Sequence, residues 1–189
     1  SLHIKQGEKI AIIGESGSGK TSLLNLIHGD QQPTHGRISF AGQSLSREEI
    51  TSVSSYILQS SHYFNSLSLE ENITLGAVKN VSKLEAILKQ TGLDSLKNRN
   101  LNEDSLSGGE KQRLEIARAL YHNSRLILAD EVKANLDSEN SQKISDLLFS
   151  LPQTVIEVIH HYSEDPSLGS HSSLSCHLVK RDMFASPST

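Results

Sequence analysis

The sequence lacks tryptophan, and aromatic residues make up only 4% of its 189 residues. Single-stranded nucleic acids stack on aromatic side chains, so this scarcity argues against a protein of that class. The net charge of −4 at pH 7 also argues against an extended contact with a phosphate backbone. We therefore expect no nucleic-acid partner.

Cysteine, methionine and long apolar runs are also scarce. The single cysteine, Cys176, excludes an internal disulfide, fits a reducing compartment and is expected to be an inert apolar residue. No apolar run approaches the roughly 20 residues that cross a bilayer, and no secretory signal is visible. Because the chain begins at Ser1 and its only methionine is Met183, we expect a piece of a longer protein, truncated at the N-terminus.

What the sequence does contain is an alternation of strand-like and helix-like segments. Continuous apolar or β-branched runs predict strands at 9–14, 37–40, 55–58, 126–129, 154–159 and, as a late edge strand, 178–179. Apolar residues at three- or four-residue spacing predict helices at 21–28, 82–92, 109–122 and 138–149. This order favours a single α/β domain over 1–189 with a mostly parallel sheet. Residues 163–175, rich in Ser, Gly and Pro, are expected to form a loop.

A glycine-rich turn follows the first predicted strand. Residues 14–21, GESGSGKT, match the phosphate-binding pattern G-x-x-x-x-G-K-[ST] and lie between a predicted strand and a predicted helix. Backbone N–H groups of such a turn form an anion nest at the positive end of the helix. The candidate nucleotide-binding residues are Gly14, Ser16, Gly17, Ser18, Gly19, Lys20 and Thr21. Lys20 is expected to reach the β- and γ-phosphates, and the Thr21 hydroxyl to bind Mg²⁺.

Two acidic residues end the apolar run at 126–129. Ligands of α/β sheets bind at the carboxyl ends of the strands, so Asp130 is placed to hold Mg²⁺ opposite Thr21. Glu131, one residue further, is placed to polarise an attacking water. Alone, an acidic pair after a strand more often marks the start of a solvated loop. Because the chain also has the phosphate-binding turn, we favour the catalytic interpretation of Asp130 and Glu131.

Residues 106–113, LSGGEKQR, resemble the signature motif of ATP-binding cassette (ABC) ATPases. Ser107, Gly108 and Gly109 offer a hydroxyl and free N–H groups at a helix N-terminus. In that family the motif faces the γ-phosphate bound to an opposite subunit, which implies a head-to-tail dimer of two cassettes.

Other positions match the family in its own order. Gln59 resembles the Q-loop glutamine that contacts Mg²⁺ or water, and Asp137 the D-loop aspartate that links the two sites. His160 resembles the switch histidine, with His161 as the neighbouring alternative. The resemblance, which runs from about residue 2 to 161, implies catalytic roles for Lys20, Gln59, Glu131 and His160 together.

The resemblance also implies a fold, cofactors and partners. The fold would be a P-loop NTPase core with a mostly parallel sheet, into which a helical signature subdomain is inserted at about 60–121. The ligands would be ATP and Mg²⁺, and the partners a second nucleotide-binding domain and a transmembrane domain, in the same or a separate chain. The location would be the cytoplasmic face of the cell membrane.

The chain departs from the family at several positions. The acidic pair is followed by Val132, Lys133, Ala134 and Asn135, where the family usually has Pro-Thr-Ser-Ala, so coupling through the D-loop is in doubt. No aromatic residue precedes Lys9 to stack on adenine, and we expect weak, base-indifferent nucleotide binding.

Three functional interpretations remain open. Residues 68–76 resemble exporter-type cassettes, although residues 102–104 are NED where exporters have Glu-Arg-Gly, and a transporter ATPase of the exporter type is favoured over an importer. The alternatives are a soluble ABC ATPase of DNA repair or translation, and a non-hydrolysing nucleotide-binding regulator.

Overall fold

A computed structural model describes residues 2–60, 62–101, 105–159 and 177–180. The strands are β1 (Lys9–Ile13), β2 (Ser54–Ile57), β3 (Leu126–Asp130), β4 (Thr154–Ile159) and β5 (His177–Lys180). The α-helices are α1 (Lys20–His28), α2 (Arg47–Val53), α3 (Leu69–Thr74), α4 (Val81–Thr91), α5 (Gly108–Tyr121) and α6 (Ser138–Ser150), with a 3-10 turn at Asp94–Leu96. None of these helices is long and apolar enough to cross a membrane.

The strands form one sheet in the order β2-β3-β4-β1-β5. The first four are parallel, and β5 pairs antiparallel with β1 at the edge. All five residues of β3 are buried, as expected for a strand covered on both faces. The predicted α/β fold with a mostly parallel sheet is confirmed.

Helices cover both faces of the sheet. On one face α1 packs over β3, and Leu24 of α1 joins Ile12, Leu128 and Val158 in an apolar cluster. On the other face α5 and α6 enclose the larger cluster, which includes Leu114, Ile127 and Ile144. Helices α3 and α4 pack on α5 rather than on the sheet. The sheet is therefore packed on both faces and supports the residues that follow the ends of its strands.

The parallel arrangement places four strand ends at one edge of the sheet. The chain leaves β1 into the glycine-rich turn, β2 towards Gln59, β3 at Asp130, and β4 at Ile159. Parallel strands lie about 4.8 Å apart, so β1 and β3, with β4 between them, end roughly 10 Å from each other. The predicted phosphate and metal residues thus meet at this carboxyl edge.

The predicted strand at 37–40 is wrong. Phe40 makes only an isolated antiparallel bridge, to Gln43. Ala41 and Gly42 both have positive φ, 49° and 82°, so the chain reverses directly after Phe40. No other described segment lies beside 37–40 to continue a ladder, and an apolar run without a partner does not form a strand.

Helix α2 lies in a segment for which the sequence analysis predicted no helix. Ser46 accepts a hydrogen bond from the N–H of Glu49, and the Glu49 carboxylate accepts one from the N–H of Ser46. This capping box was readable as Ser-x-x-Glu in the sequence. The predicted loop at 163–175, Cys176, and His160 with His161 lie outside the described residues.

Candidate functional site

The glycine-rich turn joins β1 to α1. Gly17 and Gly19 adopt φ of 81° and 87°, and a Cβ at either position would meet no atom within 4 Å. Glycine is therefore required by the backbone conformation rather than by lack of space. Gly14 and Ser18 are half-buried, whereas Ser16, Gly17 and Gly19 are exposed around the mouth of the turn.

Lys20 begins α1 beneath this turn. It is only 4% exposed, and its Nζ donates to the carbonyl oxygens of Gly14 at 2.7 Å and Glu15 at 2.8 Å. These bonds place the ammonium group inside the curve of the turn, where it adds a fixed positive charge. Thr21, the next residue, is exposed at the first turn of the helix.

The N-terminus of α1 has no side-chain cap. Gly19 occupies the N-cap position and no acidic residue lies in the first turn. Ser18 Oγ is buried without a hydrogen-bond partner among the described residues. Uncapped N–H groups and the helix dipole together favour an anion at this end.

Asp130 ends β3 at the same edge of the sheet. It is 8% exposed, and its Oδ2 accepts a hydrogen bond of 3.2 Å from the Tyr56 hydroxyl on β2. Its Oδ1 is buried and has no hydrogen-bond partner in the described part of the chain. Burial, followed by the charge of Asp130, raises the pKa of Tyr56, which keeps this hydroxyl a donor.

Glu131 follows with an unusual backbone. Its φ is 52°, in the left-handed region that glutamate seldom adopts. Its N–H donates to the carbonyl oxygen of Val158 on β4 at 3.3 Å. The side chain is partly exposed at the strand end, next to Asp130.

Gln59 follows β2 and is exposed. Gln112 of α5, 4% exposed, donates from Nε2 to the carbonyl oxygens of Leu58 at 3.3 Å and Gln59 at 3.1 Å. The backbone after β2 is thus hydrogen-bonded to the helix that starts at the signature residues. These bonds fix the backbone from which the Gln59 side chain extends.

The signature residues start α5. Ser107 and Gly108 are exposed, whereas Gly109 is buried. A Cβ at Gly109 would approach Asn140 Oδ1 of α6 to 2.8 Å, and one at Gly108 would lie 3.0 Å from Leu136. A side chain at position 109 would therefore force Asn140 to move, whereas one at position 108 would press only on the end of the Leu136 side chain.

Asp137 is the N-cap of α6. Its carboxylate accepts from the Asn140 N–H at 2.9 Å and from Asn140 Nδ2 at 2.7 Å. The backbone hydrogen bond from Asn140 lowers the pKa of Asp137 most. Because Asn140 also faces Gly109, Asp137 and the signature residues lie side by side on neighbouring helix ends.

A comparison with known proteins identifies the family of this chain. The sequence model of the ABC transporter family matches residues 1–134, more than half of the chain. The chain belongs to this family. It is therefore an ATP-binding domain of the ABC type, and ABC ATP-binding domains are ATPases.

The chain covers different shares of the length of two curated relatives. It is 36% identical over 177 residues to the lactococcin-A transport/processing ATP-binding protein LcnC of Lactococcus lactis, covering 86% of the chain but 24% of LcnC. It is 37% identical over 186 residues to an uncharacterised ABC transporter ATP-binding protein of Mycobacterium tuberculosis, covering 91% of the chain and 74% of that protein. The ABC domain alone is thus about a quarter of the length of LcnC.

Solved structures agree with the fold. The cbiO1 protein of Clostridium perfringens, part of the ABC transporter complex cbiONQ, superposes with a TM-score of 0.74 at 26% identity, over 85% of this chain and 70% of that one. A bacterial Atm1-family ABC exporter with ATP bound superposes with a TM-score of 0.71 at 27% identity, over 84% of this chain and 30% of that one.

The edge of the ABC domain fits a nucleotide phosphate with a magnesium ion. Among the described residues, Asp130 Oδ1 and Ser18 Oγ are buried atoms without a hydrogen-bond partner. Thr21 adds an exposed hydroxyl group. No cluster of three His, Cys, Asp or Glu residues occurs among the described residues. This donor set suits Mg²⁺, which commonly uses one carboxylate together with substrate phosphates, and it does not suit a fully protein-bound metal.

Two supporting residues were missed by sequence reasoning, Tyr56 and Gln112. Tyr56 lies three residues before Gln59, and Gln112 lies within the signature stretch, so both were within reach of the motifs. Their partners, Asp130 and the backbone at Gln59, are distant in sequence. No local pattern indicates such pairs.

Proposed function

We propose that this ABC domain hydrolyses ATP at the carboxyl edge of its sheet to power a membrane transporter. The observation that carries the proposal is the pairing of an uncapped, lysine-bearing turn at β1 with a carboxylate at the end of β3. The former suits phosphate oxygens, and the latter suits the cation that accompanies them.

Phosphate binding is the task of the turn and Lys20. On binding, Lys20 Nζ would exchange its carbonyl acceptors, Gly14 and Glu15, for phosphate oxygens. Thr21 and Asp130 would hold Mg²⁺, with Gln59 contributing to the same ion. Bound Mg²⁺ neutralises phosphate charge that develops during transfer. Catalysis then consists mainly of positioning and electrostatic stabilisation.

Water activation is the task of Glu131. The side chain sits one residue beyond the metal-binding position, where it would orient a water molecule and accept its proton. His160, which follows β4, would support the γ-phosphate. Glu131 N–H is held by β4, so the candidate base and the segment leading to His160 share one support.

The second half of the site would come from another copy. Ser107 and Gly108 are exposed, as residues that contact a nucleotide held by a partner must be. Two cassettes arranged head to tail would enclose ATP between the turn of one and the signature residues of the other. Asp137, beside the signature residues, would link the two sites.

A membrane domain is the proposed mechanical partner. Helices α3, α4 and α5 would form the helical subdomain, at about 60–121, that contacts it. The similarity to LcnC, a transport and processing protein, favours the exporter type. Residues 1–189 would then form a single nucleotide-binding domain that works at the cytoplasmic face of the membrane.

The test is Glu131→Gln. The change keeps the side-chain volume and removes the base, so we expect ATP affinity within about twofold of the parent and phosphate release lowered about 100-fold. ATP should also shift the variant towards dimer in gel filtration. Phosphate release with and without Mg²⁺, together with light scattering, measures both effects.

Glu85→Gln, an exposed carboxylate of α4, serves as the matched control and should behave as the parent. Phosphate release by Glu131→Gln at the parent rate would show that Glu131 is not the base. Failure of the parent itself to release phosphate would instead favour the non-hydrolysing regulator.

A further inference from the structure

An ion pair between a half-buried lysine and a buried glutamate lies close to Glu131 in sequence and has no part in the proposed mechanism. Lys133 Nζ lies 2.7 Å from Glu157 Oε1, with side-chain exposures of 18% and 3%. Lys133 Nζ also donates to Ser145 Oγ of α6 at 2.9 Å. One lysine therefore connects the segment after β3 to the middle of β4 and to α6.

The sheet is built to admit this carboxylate. Glu157 lies opposite Ala11 on β1 and Ala129 on β3 in the parallel register. Both neighbours are small, which leaves room for a charged side chain in a strand whose other inner positions are apolar. The family pattern has Thr at the position of Lys133, so the lysine is a departure of this chain from that pattern.

Stability alone does not explain the pair. Removing charges from water costs desolvation free energy, and replacing such a pair by apolar residues is often neutral or stabilising. A pair of this kind is better explained by what it holds in place. The segment it holds begins at Glu131.

The segment from Glu131 to Ala134 is held at two points by neighbouring residues of β4. The Glu131 N–H donates to Val158 O at 3.3 Å, and Lys133 contacts Glu157, the preceding residue. The N–H of Ala134 donates to Glu131 O at 3.0 Å and closes a turn that spans both points. A left-handed glutamate persists only where its surroundings determine it, and both attachments lie within two residues of Glu131.

We propose that Lys133 and Glu157 are positioning residues that hold Glu131 in its left-handed conformation and so aim its carboxylate. The inference rests on the proposed role of Glu131 as the base. The lysine at position 133 would then hold the segment to β4. The usual threonine could not make this contact, because its side chain is short and carries no positive charge.

The test uses three variants of the 189-residue chain. Lys133→Thr removes the ammonium group that lies next to the buried Glu157 carboxylate, and we expect the Tm to fall by roughly 10 °C. Glu157→Val removes the carboxylate, and Lys133→Thr with Glu157→Val removes both charges. We expect the double variant to recover the Tm to within about 3 °C of the parent, because neither charge of the pair remains in the interior.

Activity and backbone protection should not recover with the Tm. In the double variant we expect kcat to fall about tenfold, with KM for ATP within about twofold of the parent, because the turn that binds phosphate is untouched. In the nucleotide-free chain, amide hydrogen exchange at 131–136 should become faster while the strands keep their protection.

The matched control removes an ion pair at the far end of α1, by Arg47→Ala with Asp30→Ala. It should leave kcat and exchange at 131–136 unchanged. A double variant with parent kcat overturns the inference, whatever its exchange shows. A fall in kcat with unchanged exchange at 131–136 overturns it as well, since the loss would then not arise from the segment. If Glu131→Gln retains activity, the proposed role of Glu131 as the base is wrong. That outcome is distinct from a failure of the inference on Lys133 and Glu157, in which Glu131→Gln is inactive but the double variant keeps the parent kcat.

Discussion

The N-termini of α1 and α5 are both predicted to face phosphate, yet they are built in opposite ways. At α1 the N-cap is Gly19, the first turn carries no acid, and Lys20 supplies a buried positive charge. At α5 the N-cap is Ser107, which accepts from the Glu110 N–H at 3.3 Å, while the Glu110 carboxylate accepts from the Ser107 N–H at 2.6 Å.

This difference shows how each end can act. The α1 end has unsatisfied donors and is ready for an anion within a single copy of the chain. The α5 end engages the N–H groups of Ser107 and Glu110 in its own capping box and carries a carboxylate, so an anion there would meet a negative charge. The signature end therefore suits a phosphate that is already bound elsewhere, which agrees with a site completed by a second cassette.

Removing the cation at α1 should have the largest effect. Lys20→Met keeps the aliphatic chain and removes the charge, so we expect ATP affinity and phosphate release to fall on the order of 1,000-fold. Isothermal titration and phosphate release measure these losses. Lys89→Met, at an exposed lysine of α4, is the control. Equal losses of affinity and activity in both variants would show that the charge of Lys20 has no special role in binding ATP.

Removing the cap at α5 should affect catalysis without affecting binding to a single copy. Ser107→Ala costs about 1 kcal/mol of stability, or about 3 °C in Tm, and should lower phosphate release about 30-fold. Ser46→Ala removes the same capping box from α2 and should lower the Tm equally at parent activity. If both variants lose the same activity, Ser107 acts only as a cap.

Making α1 resemble α5 should weaken nucleotide binding. Ser22 is exposed at the third position of α1, which corresponds to Glu110 in α5. We expect Ser22→Glu to stabilise the free chain slightly through the helix dipole and to weaken ATP binding about tenfold by repulsion. Ser22→Gln controls for size, and equal affinities of the two variants would show that charge at this end is unimportant.

The smallest effect concerns the pH dependence of the α5 cap. Burial raises the pKa of Glu110, but hydrogen bonds from Ser107 and the charges of Arg99 and Arg113 outweigh it, and the net pKa lies below the ordinary 4.5. A lowered pKa stabilises the fold above 4.5, and this stabilisation is lost as the pH falls through the folded-state pKa.

Urea unfolding of the parent and Glu110→Gln from pH 7 to pH 3 measures this effect. The difference in free energy of unfolding should be constant at neutral pH and should narrow in acid. A difference that is the same at every pH would mean that the carboxylate charge does not strengthen the cap.

The sequence predicted most elements of the fold because their signals are local. The strand at 154–159 was predicted with its observed ends, and the helix that Gly92 ends was predicted within one residue. The strand at 37–40 failed because an apolar run cannot reveal whether a pairing partner is present. Helix α2 was overlooked because its capping box was not read.

The candidate site divides in the same way. The phosphate-binding turn, Asp130 and Glu131 were predicted because each motif is contiguous and follows a recognisable strand. The hydrogen bond of Tyr56 to Asp130 and the hydrogen bonds of Gln112 to the backbone near Gln59 were not predicted. They join segments whose proximity depends on the sheet order and on how α5 packs.

The amino-acid sequence by itself determined the family and the α/β class, and it supplied the candidate residues for phosphate and metal, since these depend on short patterns and on turn conformations available to few residues. Only the tertiary structure decided that Lys133 meets Glu157, that Gly109 faces Asn140, and that α1 is open where α5 is capped. The physical reason is that such contacts depend on strand register and helix placement, which arise from packing of the whole domain rather than from neighbours along the chain.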